Sequence, residues 1–120
     1  MKIIIRTKNL ELTDDLQKFV DEKIGGLKKF LSILKEDKKT LTETFVELEK
    51  ETLHHKKGQI FRTEVQIQLP GKKLIAEAKG EDLKKAIVKV KDELQQEIKK
   101  YKLKITETTR RSQRKLKNLY

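Results

Sequence analysis

The order of patterns along this chain predicts an α+β domain, a four-stranded sheet with two helices packed on one of its faces and the elements connected β-α-β-β-β-α. Three observations carry that expectation. Short segments with apolar residues at every second position occur at the N-terminus and three more times in the middle of the chain. Two longer segments repeat apolar residues at spacings of three and four, as amphipathic helices do. A Leu-Pro-Gly-Lys turn joins two of the strand-like segments.

The elements follow in order. KIIIRT, residues 2 to 7, is β-branched with Ile3 and Ile5 on one face. Thr13 is placed as an N-cap, with Asp14 and Asp15 in the first turn where negative charge suits the helix dipole. The stripe Leu16, Phe19, Val20, Ile24, Leu27, Phe30, Leu31 and Leu34 keeps its phase across Gly25 and Gly26, which predicts one weakened or bent helix rather than two. KEDKKTLT, residues 35 to 42, is a connection. ETFVELEK and IFRTEVQIQL are strands, the second with Phe61, Thr63, Val65, Ile67 and Leu69 inward and Arg62, Glu64, Gln66 and Gln68 on an open polar face.

LIAEAK is the return strand, with Leu74, Ala76 and Ala78 inward. After Gly80, acidic Glu81 and Asp82 open a helix whose stripe is Leu83, Ala86, Ile87, Val90, Leu94, Ile98 and Tyr101. Residues 1–102 therefore form one domain, and residues 103–120 a basic tail with no amphipathic stripe long enough to dock, expected to lack structure until it meets a partner.

Composition narrows the function. The chain of 120 residues has 30 Lys and Arg against 19 Asp and Glu, a formal charge of +11, which favours phosphate backbones or other anionic surfaces as partners. Residues 99–120 hold 9 basic residues and 1 acid, leaving 21 against 18, or +3, on the rest, so anion binding by the body must come from arrangement. There is no cysteine, hence no disulfide framework or thiolate metal site, in keeping with a reducing cytoplasm. No apolar run approaches the roughly 20 residues that span a bilayer, and membrane attachment is not expected.

His54 and His55 sit in the basic loop segment HHKKGQ, but neighbours on an extended segment point to opposite sides, and no companion ligands complete a tetrahedral set. No metal, cofactor or small-molecule substrate is expected. No Gly-x-Ser-x-Gly, phosphate-binding loop or His-Glu-x-x-His helix occurs, so the chain does not read as an enzyme.

The second helix carries the stronger signal. At 100° per residue, Lys84, Lys91 and Lys102 share one stripe with Gln95 beside them and Lys99 close by, and that stripe contains no acid, while Lys85, Lys89 and Lys100 lie further round among Asp92, Glu93 and Glu97. On the first helix Lys18, Lys28, Lys29 and Lys35 lie outside the apolar arc and Lys23 at its edge. Two such helices on one side of a sheet would present a basic ridge to a nucleic acid, and the shape is similar to double-stranded RNA-binding domains, whose chain starts with the helix instead.

Four segments in order support a closer comparison: the opening ending in LTDDLQKFVDEKI, the LPGKKLIAEA hairpin, the GEDL…AI helix start and the closing KDEL…IKKYK. From about residue 1 to 102 the chain resembles the ribosome hibernation promoting factor family, also called ribosome-associated inhibitors or ribosomal subunit interface proteins. The resemblance implies a β-α-β-β-β-α domain, monomeric off the ribosome, that lodges in the small ribosomal subunit over the messenger and transfer RNA channel and silences translation under starvation or in stationary phase.

It also implies ribosomal RNA contacts from Lys23, Lys28 and Lys29, from Lys85, Lys89, Lys99 and Lys100, and from Lys56 and Lys57 of the loop. The helical stripe adds Lys84 and Lys91, and the charge of the tail adds Arg110, Arg111 and Arg114. Lys84 and Gln96 depart from the Tyr and Arg that many members carry there. Nothing after residue 102 resembles the further domain of long members, so a short form is expected. A general double-stranded RNA-binding module and a protein-binding regulator, the family having been linked to sigma-factor modulation, are the alternatives.

Overall fold

The computed structural model describes residues 1–31, 43–51, 59–69 and 71–118, with side chains described as far as Lys104 in the last helix. The elements are β1 (Lys2–Lys8), α1 (Asp14–Gly25), α2 (Lys28–Leu31), β2 (Glu43–Glu51), β3 (Ile60–Leu69), β4 (Lys72–Gly80) and α3 (Leu83–Asn118). The strands lie in the order β1-β2-β3-β4, with β1 and β2 parallel and the other two pairs antiparallel. With α1 and α2 together in the first helical position, this is the α+β arrangement that the patterns anticipate.

Alternation along the strands decides which face is covered. Thr44, Val46 and Leu48 of β2, Thr63, Val65 and Ile67 of β3, and Leu74, Ala76 and Ala78 of β4 are buried beneath the helices. From above they meet Leu16, Val20, Ile24, Leu27 and Leu31, together with Ala86, Ile87, Val90, Leu94 and Ile98. Full burial of each Val, Leu or Ile side chain contributes roughly 1.5–3 kcal/mol, and the small Ala76 and Ala78 let α3 lie close on β4. The opposite face carries Arg62, Glu64, Gln66 and Gln68, as their alternation requires.

Local chemistry sets the element ends. Thr13 is extended at φ −77° and ψ 162°, and its Oγ1 accepts a hydrogen bond from the Leu16 N–H at 3.2 Å, capping α1. At α3 the cap is Asp82, whose Oδ1 accepts from the N–H groups of Lys84 at 3.0 Å and Lys85 at 3.3 Å. The β3–β4 hairpin closes at the pair Leu69 and Lys72 around Gly71, whose φ of +74° a side chain would strain.

Two expectations are corrected. The first helix is not one bent helix: α1 stops at Gly25, and a separate single turn, α2, follows. The Leu27 N–H turns to Ile24 O at 3.0 Å, an i−3 bond, and the ladder re-forms with Leu31 N–H to Leu27 O at 3.2 Å. Two consecutive glycines supply too little helix propensity to keep the i−4 pattern against that tighter turn. The apolar phase survives, since Leu27 and Leu31 are both buried. Leu34 lies outside the described residues.

The tail is corrected as well. Instead of ending near Tyr101, α3 runs for 36 residues to Asn118, about 54 Å at the usual rise, and the long dimension of the molecule, 69 Å against 30 and 18 Å, reflects it. Among the side chains described, Ile98 is the last buried one on it, and Leu103 is already 63% exposed. Docking of residues 83–98 bears the nucleation cost, after which each added residue contributes a backbone hydrogen bond, and residues 103–118 contain no Gly or Pro to stop propagation. A missing amphipathic stripe argues against docking, not against helix.

Candidate nucleic-acid interface

The apolar stripes that pack α1, α2 and α3 side by side on the sheet also decide where their lysines meet. Phe19 and Phe30 sit at the edge of the core, half-buried, with their rings turned into the furrow between the helices. Lys23 of α1 and Lys84 of α3 place their ammonium groups 5.8 and 5.4 Å from the Phe19 ring centre. Over Phe30 stand Lys29 of α2 at 5.2 Å, with Lys99 at 6.0 Å and Lys102 at 5.8 Å from α3.

Each contact contributes about 0.5–1 kcal/mol at an exposed site. Its larger effect is positional. The negative ring face draws cations from three helices to one furrow. Between the two aromatic clusters lies a hollow of about 280 Å³ lined by Glu22, Lys23, Gly26, Lys29, Phe30, Lys91 and Gln95. Gly26 leaves its wall free of a side chain. Glu22 stands on the rim, and Lys91 is held 3.5 Å from Asp92.

The structure thus brings together Lys23, Lys29, Lys84, Lys91 and Lys99 of the residues expected from sequence. Lys85 and Lys89 belong to another place, a shallow hollow with Lys79, Gly80, Glu81 and Asp82 at the start of α3. Lys100 pairs with Glu97 at 3.8 Å, and Lys28 is exposed on α2. Lys56, Lys57, His54 and His55 lie outside the described residues. Arg110, Arg111 and Arg114 fall on the last turns of α3.

Sequence reading did not assign Phe19, Phe30 or Lys102 to the site. Lys102 was legible, since it shares the helical angle of Lys84 and Lys91, but the two phenylalanines follow the core stripe and nothing local shows that their rings are left half-covered. Among the described residues no group of three or more His, Cys, Asp or Glu could hold a metal ion. No helix among them is long and apolar enough to cross a membrane.

A four-stranded sheet with its helices on one side, and a furrow of lysines between those helices, defines a class of small basic α+β domains. The chain belongs to the Sigma 54 modulation protein / S30EA ribosomal protein family, which it matches over residues 3–106. Among solved structures it is similar to the N-terminal domain of Thermus thermophilus Protein Y, with 27% identity and a TM-score of 0.65 over 84% of this chain and 99% of that one. A ribosomal subunit interface protein from Coxiella burnetii shares the fold at 17% identity, with a TM-score of 0.62 over 86% of this chain and 99% of that one. No curated protein matches.

Proposed function

We propose that this chain is a ribosome hibernation factor that binds the small ribosomal subunit in its messenger and transfer RNA channel, through ribosomal RNA, and silences translation under stress or in stationary phase. The observation that carries the RNA contact is the convergence of Lys23, Lys29, Lys84, Lys91, Lys99 and Lys102 from three helices on one furrow. Family membership and the likeness to Protein Y support the ribosome as the place where that RNA is met. The domain acts in the cytoplasm as a monomer, without a cofactor, and inhibits by occupying space rather than by chemistry. Lys85 and Lys89, on the other flank of α3, reach a neighbouring stretch of the same RNA, as do Lys28, Lys100 and the arginines of the last turns.

Co-sedimentation with purified small subunits over a salt series tests this, with a free RNA duplex as competitor. Affinity is expected to fall by about 0.7–0.9 log units per log unit of salt for each phosphate neutralised. Lys91→Glu with Lys99→Glu is expected to weaken binding more than Lys85→Glu with Lys89→Glu, while both pairs leave stability within about 0.5 kcal/mol per site. Binding that is flat in salt refutes the RNA contact. Equal competition by any RNA duplex moves the assignment to a general double-stranded RNA-binding module.

A further inference from the structure

The uncovered face of the sheet has an order of its own, independent of the RNA reading. Its register lines up side chains in rows that run across the strands. One row is Ile4, Phe45, Gln66 and Ile75, and the next is Arg6, Glu47, Glu64 and Glu77. Behind these stands Lys8, Glu49, Arg62 and Lys79, and on the far side of the apolar row stands Lys2, Glu43, Gln68 and Lys73.

Ile4 is 36% and Ile75 52% exposed, so branched apolar side chains stand in water on both edge strands, at the ends of a row flanked by mostly charged ones. Arg62 draws Glu47, Glu49, Glu64 and Glu77 together, within 3.6 Å of its guanidinium. It lies under them, only 19% exposed, whereas the Glu47 and Glu77 side chains keep 43% and 42% of their surface. From Glu47 across to Glu77 the outermost groups beside the apolar row are therefore carboxylates. Ile4, Arg6, Phe45, Glu47, Glu64 and Gln66 line a hollow of about 230 Å³ at the β1 end of this band.

That chemistry disfavours two occupants. RNA phosphates would face the carboxylates of β2, β3 and β4. A second copy turned about an axis along the strands would set Arg6 on Glu77 and Glu49 on Arg62, but also Glu47 on Glu64, Lys2 on Lys73 and Lys8 on Lys79. Turned instead about the apolar row, it would set Lys73 on Glu77 but Glu43 on Glu47 and Lys2 on Arg6. Like charges meet either way.

We infer that the open face docks a Lys- and Arg-rich protein segment in extended form, which lays an apolar side chain on the Ile4, Phe45 and Ile75 row and its basic groups against Glu47, Glu64 and Glu77. Four strands at about 4.8 Å spacing make a row about 14 Å long, the reach of about five extended residues. A domain holding RNA on its helices would in this way hold a basic protein on its sheet.

Isotope-labelled full-length protein, titrated with a short synthetic peptide that alternates Lys or Arg with Leu, tests the inference by nuclear magnetic resonance. The peptide is expected to shift the Ile4 and Ile75 methyl signals and the Phe45 ring. Ile75→Ser, at an exposed position that leaves the fold in place, is expected to weaken it about tenfold, the factor that goes with losing a partly buried branched side chain. Glu47→Gln with Glu77→Gln is expected to weaken it as well, and a short RNA duplex is expected to shift only signals of the helices. A peptide with Ser in place of Leu that binds as tightly, peptide shifts confined to the helices, or RNA-induced shifts on the open face would each overturn the assignment.

Discussion

Arg62 offers the sharpest test of how the open face is held. Its Nε donates to Glu77 Oε1 at 2.8 Å and its Nη2 to Glu64 Oε2, and Nη1 lies 3.6 Å from Glu47 and 3.5 Å from Glu49. The hydrogen bond from Arg62 is the main reason the Glu77 carboxyl is held below its ordinary range; desolvation opposes it, and the nearby charges of Arg62 and Lys79 add to the lowering. Arg62→Met keeps most of the apolar stem but leaves four carboxylates facing one another. An exposed pair contributes about 0–1 kcal/mol and breaking a buried one costs about 3–5. A guanidinium that is 19% exposed, among carboxylates from 18% to 43% exposed, falls between, and the expected loss is about 2 kcal/mol, or about 8 °C in Tm for a domain of this size.

The pH dependence separates this from a loss of packing. In the native protein Glu77 is depressed on folding, so its contribution is present at neutral pH and is lost as pH falls through the folded value. Arg62→Met removes the hydrogen bond that depresses Glu77, so the variant lacks this contribution at every pH while the parent loses it in acid, and the gap in Tm should narrow from neutral to acid pH. Thermal melts followed by circular dichroism at the two pH values measure both effects. A Tm within about 2 °C of the parent at neutral pH, or a gap that stays constant with pH, would refute the reasoning.

Other substitutions probe the remaining structure. The hydroxyls of Thr44 and Thr63 are buried among apolar side chains without a hydrogen-bond partner, so Thr63→Val should stabilise the fold by about 1 kcal/mol and raise Tm by about 4 °C in the same melts. Thr13→Ala removes the cap from the Leu16 N–H and should cost about 1 kcal/mol by denaturant titration. Truncation after Lys102 should lower the helical dichroism signal while leaving Tm nearly unchanged, because Ile98 is the last buried residue among the α3 side chains described, which run to Lys104. The same truncation should reduce ribosome affinity and give a shallower salt slope by removing Lys104, Arg110, Arg111, Arg114, Lys115 and Lys117. A large fall in Tm would show that the distal helix supports the core.

Much of the fold was legible because its signals are local. Alternation in IFRTEVQIQL assigned Thr63, Val65 and Ile67 to the core side, and three-and-four spacing did the same for Val20, Ile24, Ile87, Val90, Leu94 and Ile98, all of them buried. Errors arose where two local tendencies compete. At Gly25 and Gly26 the surviving apolar phase argued for one helix, while weak propensity let the backbone tighten and break the ladder. Past Tyr101 the polar composition argued for a loose tail, while continuity with a docked helix favours extension.

The site divides along the same line. By itself the sequence determined the strand and helix order, the side of each element that enters the core and the acid-free stripe of Lys84, Lys91, Lys99 and Lys102, because each depends on positions a few residues apart in one chain. Only the tertiary structure decided that Lys23 and Lys29 meet that stripe over Phe19 and Phe30, that Lys85 and Lys89 fall on another flank, and that Arg62 gathers carboxylates from three strands. Those groupings depend on the rotation of one helix against another and on the register of paired strands. Both are set by how side chains distant in sequence fill a shared volume, a constraint that no local period contains.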